Sequence, residues 1–400
     1  MRILYGIQRY GESVPGGAET ACRDFAERMA GRGHHVEVVT SCARDYVTWA
    51  DEFESGTAEL NGVRVHRLPV REERRSSQFH PISSRVLGAR TPLAVQRDWL
   101  RVQGPDLPDL RPWLRRHAPT FDVAIFYTYL YPTTAIGLRE AAIGTATVMH
   151  PAAHDEPLLD LPVFDDVFAA AGGLSIQTPE ELATIRRRFR FDRPVEVVGL
   201  GLDTSRPPGD GDRFRRRYGL GDGPVLLYVG RVEPGKATDE LARSFAEFRR
   251  RHEVRVKLVV LGALVDKPLD HPDILYTDYV DEQTRHDAYQ AATVFVMPSY
   301  FESFSISLCE AWLAGKPALV QGECAVLDGQ VTRGRGGIPY RGLAEFDAAL
   351  TRLLASPRER DALGAAGRDY AIGSFGWGAV LDRYEDLVGR VVATRRSATR

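Results

Sequence analysis

The chain has 400 residues, a formal net charge of −2 and a pI near 6.6, a length that favours two domains at ~100–200 residues each. With 44% hydrophobic and 26% charged residues it has ordinary globular composition and apolar surface for two cores. Near-neutral charge argues against wholesale nucleic-acid binding, and no run approaches the ~18 apolar residues of a spanning helix.

The opening MRILYGIQRYG lacks the apolar core and cleavage site of a secretory signal. Cys22, Cys42, Cys309 and Cys324 form no CxxC pair, which is reduced, cytoplasmic usage without a disulfide framework or zinc site. Among the 52 basic residues only Lys236, Lys257, Lys267 and Lys316 are lysine. A lysine kept at a motif position in an arginine-using chain hints at a site for a compact ammonium.

The first forty residues read as a βαβ unit. A strand at Ile3–Ile7 is followed by a turn-rich stretch. Ala21, Cys22, Phe25, Ala26, Met29 and Ala30 then recur at helical spacing, and Val36–Thr40 forms the next strand. Short apolar runs at Val63–Leu68, Asp122–Tyr127, Thr145–Met149 and Leu174–Gln177 continue the pattern, which predicts a parallel sheet covered by helices. Ser76–Pro112 is Arg- and Pro-rich and fits poorly. It reads as a helix or two plus a long loop, serving either the acceptor side or surface decoration.

Pro/Gly/Asp punctuation marks a boundary near Asp203–Gly223. The α/β rhythm then restarts with strands at Pro224–Val229, Arg255–Leu261, Thr293–Met297 and Pro317–Val320, and helices at Thr238–Arg251, Gln283–Ala292 and about Ser303–Ala314. Helical segments at Ala344–Leu354, Pro357–Ala371 and Trp377–Ala393 end the chain. The expected architecture is α/β, with two Rossmann-like doubly wound parallel sheets facing a central cleft. The domains are expected at 1–203 and 204–374, with the last helix, about 375–393, packing back on the first.

The strongest constellation lies in the second half. Gly230, Arg231 and Lys236 follow one strand, while Glu302 and Glu310 follow another, so all sit at strand-to-helix turns where α/β sheets bind ligands. Arg231 and Lys236 supply a guanidinium fork and an ammonium for clustered anionic oxygens. The turn Ser303, Phe304, Ser305, Ile306 opens a helix whose free N–H groups favour a phosphate. Glu302 and Glu310 are acceptors suited to paired sugar hydroxyls. Singly, each has a bland reading as a solvated or dipole-complementing side chain. Together they describe a site for a sugar, a diphosphate and a ribose in line. Gly16 and Gly17 precede the first helix and could approach a phosphate or an acceptor, or simply make a tight turn. Glu19 reads as a first-turn dipole partner.

VGRVEPGK followed by ESFSISLCE, with Glu302 and Glu310 in E-x7-E spacing, resembles the signature of retaining family 4 glycosyltransferases of the GT-B fold (glycosyl transferases group 1). The resemblance covers nearly the whole chain, including Gly16–Glu19, the inter-domain GlyLeuAsp at 201–203 and residues 293–320. It implies a cytoplasmic-face hexosyltransferase that moves a sugar from a UDP- or GDP-linked donor with retention and with no required metal or other cofactor. Polysaccharide, glycolipid or natural-product biosynthesis is the implied setting. It implies that Arg231 and Lys236 hold the diphosphate, Glu302 the transferred sugar and Glu310 the ribose. The amides of Phe304–Ile306 are then near sugar and phosphate, and backbone near Tyr279 and Val280 selects the base. A family histidine near the reacting centre corresponds to His154, whose His154-Asp155 pair resembles the family's "HD", or to His150, nearer the strand end. Ser303 and Ser305 replace the family's glycines. They can still cap the helix, with less backbone freedom near a ligand.

Other readings are a GT-B phosphorylase, a non-catalytic sugar-nucleotide-binding or partner subunit, and a glycoside hydrolase, which would not need the paired Arg and Lys. Asp210-Gly211-Asp212 is the lone Asp-x-Asp match and lies in the linker. The basic clusters Arg71–Arg75, Arg111–Arg116, Arg186–Arg190 and Arg395–Arg400 read as solvated helix faces, or as sites of peripheral docking to anionic lipid that bring a lipid-linked acceptor within reach.

Overall fold

The structure, a computed structural model, describes residues 1–88, 90–265 and 268–399; Lys267 and Arg400, named above, lie outside them. Two compact units divide the chain, Met1–Gly201 with Val380–Arg400, and Leu202–Ala379.

The first unit is built on eight strands: β1 (Arg2–Gly6), β2 (His35–Ser41), β3 (Gly56–Leu60), β4 (Val63–Leu68), β5 (Val123–Tyr127), β6 (Ala146–His150), β7 (Gly173–Ile176) and β8 (Val195–Val197). Their order is β3-β4-β2-β1-β5-β6-β7-β8. Only β3 runs antiparallel, against β4, while Ile3 of β1 registers with Val36 on one side and Val123 on the other. Every residue of β5 and β6 is buried, because helices cover both faces and each strand must be apolar throughout.

The segment expected to hold a helix or two plus a long loop forms, with the residues just after it, the helices Ser76–Gly88, Leu93–Gln103 and Leu110–His117. Val86, Trp99, Leu100, Leu110 and Leu114 join the main apolar core, and Gln96 accepts from the Val163 backbone N–H at 3.0 Å. The segment is an integral helical layer of this unit rather than decoration.

The second unit holds β9 (Val225–Val229), β10 (Lys257–Leu261), β11 (Ile274–Tyr276), β12 (Val294–Met297), β13 (Ala318–Gln321) and β14 (Gly337–Tyr340), all parallel in the order β11-β10-β9-β12-β13-β14. Counted from β9 this is the 3-2-1-4-5-6 order of a doubly wound sheet, with its reversal between β9 and β12. The first unit reverses in the same way between β1 and β5. Two parallel-sheet α/β domains are therefore present, as the alternation predicts.

The last helix, Trp377–Thr399, runs six residues beyond the expected end. From Val380 onward it belongs to the first unit. Tyr384 enters the core there, with its ring centroid 4.6 Å from that of Phe25 and its hydroxyl 3.3 Å from that of Tyr5. Among the described residues, no helix is long and apolar enough to cross a membrane.

Candidate active site

In the second unit the reversal places the exits of β9 and β12 next to each other. The β9 and β10 exits stay hydrogen-bonded past the strands, with Gly230 N–H donating to Leu261 O at 2.9 Å and Val232 N–H to Ala263 O at 2.9 Å. A Cβ on Gly262 would stand 2.1 Å from the Gly230 carbonyl oxygen, so only glycine lets the two chains run this close. Between those two bonds, Arg231 lies 3.0 Å from Glu233. The 3-10 turn Pro234–Lys236 then carries Lys236 back so that Nζ is 2.7 Å from Glu302 Oε1. Two residues of the sequence-predicted site, 66 positions apart, thus form a partly buried ion pair. Tyr228 donates its hydroxyl to the Arg231 carbonyl at 2.9 Å. Burial, reinforced by Glu302 and Glu233, holds that hydroxyl protonated well above its usual range.

The β12 exit differs in detail from its sequence reading. The helix runs Ile306–Leu313, so it begins three residues after Ser303. Ser305 occupies the N-cap position at φ 69° and ψ 78° and makes no side-chain cap bond. Its hydroxyl is buried without a hydrogen-bond partner. A capping serine needs an extended backbone to turn its oxygen onto the first-turn amides, and a left-handed one turns it away. The expectation of a serine cap is therefore corrected for Ser305. Phe304 is buried against Phe375, with ring centroids 4.8 Å apart, and its carbonyl accepts from the Gln330 side chain. Ser303 is half-buried in the bend before it.

Glu310 projects from the same helix. Its Oε2 accepts from the Tyr289 hydroxyl at 2.8 Å, and its Oε1 lies 3.2 Å from an Arg285 Nη. Both partners come from the helix Glu282–Ala291, and neither was singled out in the sequence. Their i, i+4 spacing after the Tyr279–Val280 turn is the signal that could have found them. Val280 is half-buried and Tyr279 is 77% exposed. The preceding Asp278 is left-handed at φ 59°, with its carbonyl accepting from Gly262 N–H at 3.1 Å. Asp210 of the Asp-x-Asp match caps the helix Gly211–Tyr218 through the Arg213 N–H at 2.9 Å.

In the first unit Gly16 sits at φ 143°, where a Cβ would stand 2.1 Å from Glu19 Oε2; Gly17 beside it is exposed and opens the helix Gly17–Gly31. Glu19 does more than complement a dipole. It is buried against Arg9 at 2.6 Å and accepts from Gln8 at 2.9 Å, and Arg9 in turn donates to the carbonyls of Pro15 and Arg44. The glycine loop is thereby tied to the β1 exit.

His150 and His154 occupy different environments. His150 is 1% exposed and stacked on Tyr127 with centroids 4.2 Å apart. Its Nε2 is 3.2 Å from the Tyr384 hydroxyl and its Nδ1 has no hydrogen-bond partner. Burial lowers its pKa to about 3, so it is a neutral core side chain. The structure corrects its candidacy as a reacting group, since no face of the ring is open. His154 is part-exposed on the loop after β6, with Nδ1 3.7 Å from Glu156 Oε1. Left-handed, non-glycine residues mark several of these exits: Thr128 and Ala152 in the first unit, Ala237, Asp278 and Ser305 in the second. Such strain persists where surrounding structure over-determines it, commonly at functional edges.

Among the described residues no cluster of three His, Cys, Asp or Glu side chains has the arrangement of metal ligands. Cavities of about 340 Å³ beside Arg213 and Asp287, and about 530 Å³ beside Arg97 and Ile136, are lined by none of the sequence-predicted site residues.

Comparison with known proteins places the chain. Residues 223–356, which hold both strand exits of the second-unit site, match the family described as glycosyl transferases group 1. A D-inositol 3-phosphate glycosyltransferase of Nocardiopsis dassonvillei is 31% identical over 423 residues, covering 97% of this chain and 93% of that one. A protein of the same name from Kribbella flavida is 34% identical over 244 residues, covering 56% of this chain and 57% of its own length. Anabaena Alr3699/HepE, solved with UDP-glucose, superposes with a TM-score of 0.69 at 15% identity, covering 98% of this chain and all of that one. The chain belongs to the family 4 glycosyltransferases, glycosyl transferases group 1, and has their GT-B fold.

Proposed function

We propose that the protein is a retaining glycosyltransferase that moves a sugar from a UDP- or GDP-linked donor to an acceptor hydroxyl without requiring a metal ion. The observation that carries this reading is the Lys236–Glu302 pair at 2.7 Å, at the exits of the two strands where the sheet order reverses, with Arg231 one turn away. A diphosphate entering there would draw Lys236 from Glu302. The ammonium then serves the phosphate oxygens, and the carboxylate is released to accept from sugar hydroxyls. The bond from the anomeric carbon to the leaving phosphate oxygen breaks, and the acceptor oxygen bonds to the same face. A donor phosphate oxygen takes the acceptor proton. Arg231, Lys236 and the amides at Phe304–Ile306 stabilise the charge that grows on the diphosphate. Tyr289 and Arg285 each engage one oxygen of Glu310, which orients its remaining lone pairs toward the two ribose hydroxyls.

UDP-glucose in Anabaena Alr3699/HepE supports the donor class. The shared name D-inositol 3-phosphate glycosyltransferase favours a small polyol acceptor over a polymer. A cytoplasmic setting, with the basic helices resting on anionic lipid, belongs to the same proposal. Salt-insensitive sedimentation with anionic liposomes would remove the lipid part.

A turnover screen over common nucleotide sugars, with and without chelator, tests the reading. Lys236→Ala and Glu310→Ala should each remove ~10²–10³-fold or more of the rate while leaving the circular dichroism spectrum unchanged. Unchanged turnover in either variant overturns the site.

A further inference from the structure

Glu181 is a buried carboxylate of the first unit that the reaction above does not use. It is 1% exposed and forms no ion pair among the described residues. Instead, backbone amides from two neighbouring strand exits converge on it. Oε1 accepts from Ala153 N–H at 2.8 Å, in the loop after β6, and Oε2 accepts from Gln177 N–H at 2.6 Å, at the end of β7.

Half of this arrangement is ordinary helix capping. Thr178 caps the helix Pro179–Arg188 by accepting from Glu181 N–H at 3.2 Å, and Thr-Pro-Glu-Glu has the spacing of a capping box. The bond to Ala153 is not part of any cap. It reaches across to the adjacent loop and grips the residue immediately before His154. The residue before that, Ala152, is left-handed at φ 49°, a conformation that needs outside support. On its other flank the loop is held at Glu156, which accepts from the Tyr129 hydroxyl at 3.1 Å. His154 therefore stands between two anchors, and the buried one is Glu181.

We propose that Glu181 is a positioning residue for sugar transfer, fixing through Ala153 the loop that presents His154. The inference rests on the functional reading above and on the family resemblance, which implies a histidine near the reacting centre and matches it to His154. The donor pattern makes the carboxylate specific. Backbone N–H groups of Gln177, Ala153 and Thr178 bond it, with those of Ala153 and Gln177 on different oxygens, so an amide of the same shape sets its own NH₂ against at least one of them.

The test uses the full chain with Glu181→Gln, His154→Ala and the double variant, assayed with the donor found in the screen. Glu181→Gln should lower kcat by ~10–100-fold while the donor KM stays within about 2-fold, as expected when a reacting group is misplaced without loss of binding. In the His154→Ala background the same change should cost less than about 2-fold, because the group it positions is gone. Backbone hydrogen exchange in residues 152–156 should rise in Glu181→Gln. Should that variant not fold, Glu181→Asp keeps a carboxylate drawn back by one methylene and should show an intermediate loss of kcat with exchange raised less.

Equal losses in both backgrounds, or faster exchange with unaltered kcat, reduce Glu181 to a stabiliser of its loop and overturn the proposal. A His154→Ala variant as active as the wild type overturns it as well. A wild-type chain that transfers sugar from no donor while these exchange differences persist brings down the functional reading instead, and the two failures are thus distinct.

Discussion

In the first unit His150 and Glu181 are buried with no counter-charge among the described residues, and they respond to pH in opposite directions. Burial lowers the His150 pKa from 6.5 to about 3. Its folded value is depressed, so its contribution to stability is present above pH 6.5 and is lost as the pH falls toward 3, by ~1.4 kcal/mol per pH unit. Burial raises Glu181 from 4.5 to about 7, against the pull of its backbone hydrogen bonds. A raised folded value gives stability that is present below pH 4.5 and lost as the pH rises through 7. Between pH 4.5 and 6.5 the two therefore offset each other, and below 4.5 only the histidine penalty remains. Thermal unfolding from pH 3.5 to 8 checks this. The Tm gap between wild type and His150→Phe should change with pH below 6.5. The gap for Glu181→Gln should change between 4.5 and 7 with the opposite sign. A pH-independent gap for both contradicts the assignment. The two histidines also show what residue type alone leaves open. His150 and His154 are four positions apart, yet one is a neutral core ring and the other a part-exposed loop side chain.

At the scale of the element, the strands legible in the sequence are those with neighbours on both sides. β1, β2, β4, β5, β6, β7, β9, β10, β12 and β13 read as apolar runs because two faces and two edges must be filled. The four strands without such a run, β3, β8, β11 and β14, are the four sheet edges. They have three to five residues, and their burial patterns are mostly exposed or intermediate. β14 contains Pro339, which an edge strand tolerates. Half-exposed, short and singly paired, an edge strand carries little periodicity to read.

The helix Ile306–Leu313 starts three residues later than the sequence predicts, for a related reason. The sequence contains a serine where a cap would stand, but it does not report that Ser305 is left-handed. That conformation explains why the related signature has glycine here. Ser305→Gly should therefore stabilise the second unit, or leave it unchanged to within ~1 kcal/mol, despite the entropic cost of glycine. Urea unfolding of the two proteins measures it. A loss well above ~1 kcal/mol would mean that the buried hydroxyl is satisfied in solution.

At the scale of the whole molecule, the chain's last helix completes the core of the first unit. Val380, Leu381, Tyr384, Leu387, Val388 and Val391 are buried. Tyr384 packs on Phe25 and His150 and meets the hydroxyl of Tyr5. Arg32 and His34 bind Glu385 at 2.6 and 2.7 Å, and Arg396 binds Asp122 at 2.8 Å. A chain ending at Ala379 would leave that face of the β1–β5–β6 region open, a large loss for one core. Such a truncation should lose the cooperative melting of the first unit while the second unit still unfolds as a unit. Differential scanning calorimetry on the truncated protein tests this, and two intact transitions would contradict it.

The α/β alternation, the doubly wound class, the strand-exit position of Arg231, Lys236 and Glu302 and the place of Glu310 on the helix that follows all come from local pattern, because burial on both faces and turn chemistry are written in adjacent residues. Spacing alone also marked Lys236 and Glu302 for the same edge. Three things depended on contacts between distant segments. The Lys236–Glu302 pair closes across 66 residues. Arg285 and Tyr289 take hold of Glu310 from another helix. His150 is withdrawn into a core that a helix more than 200 residues later seals. Periodicity encodes which face of an element is buried; it does not encode which element arrives to bury it, and here that arrival separates a packed histidine from a part-exposed one.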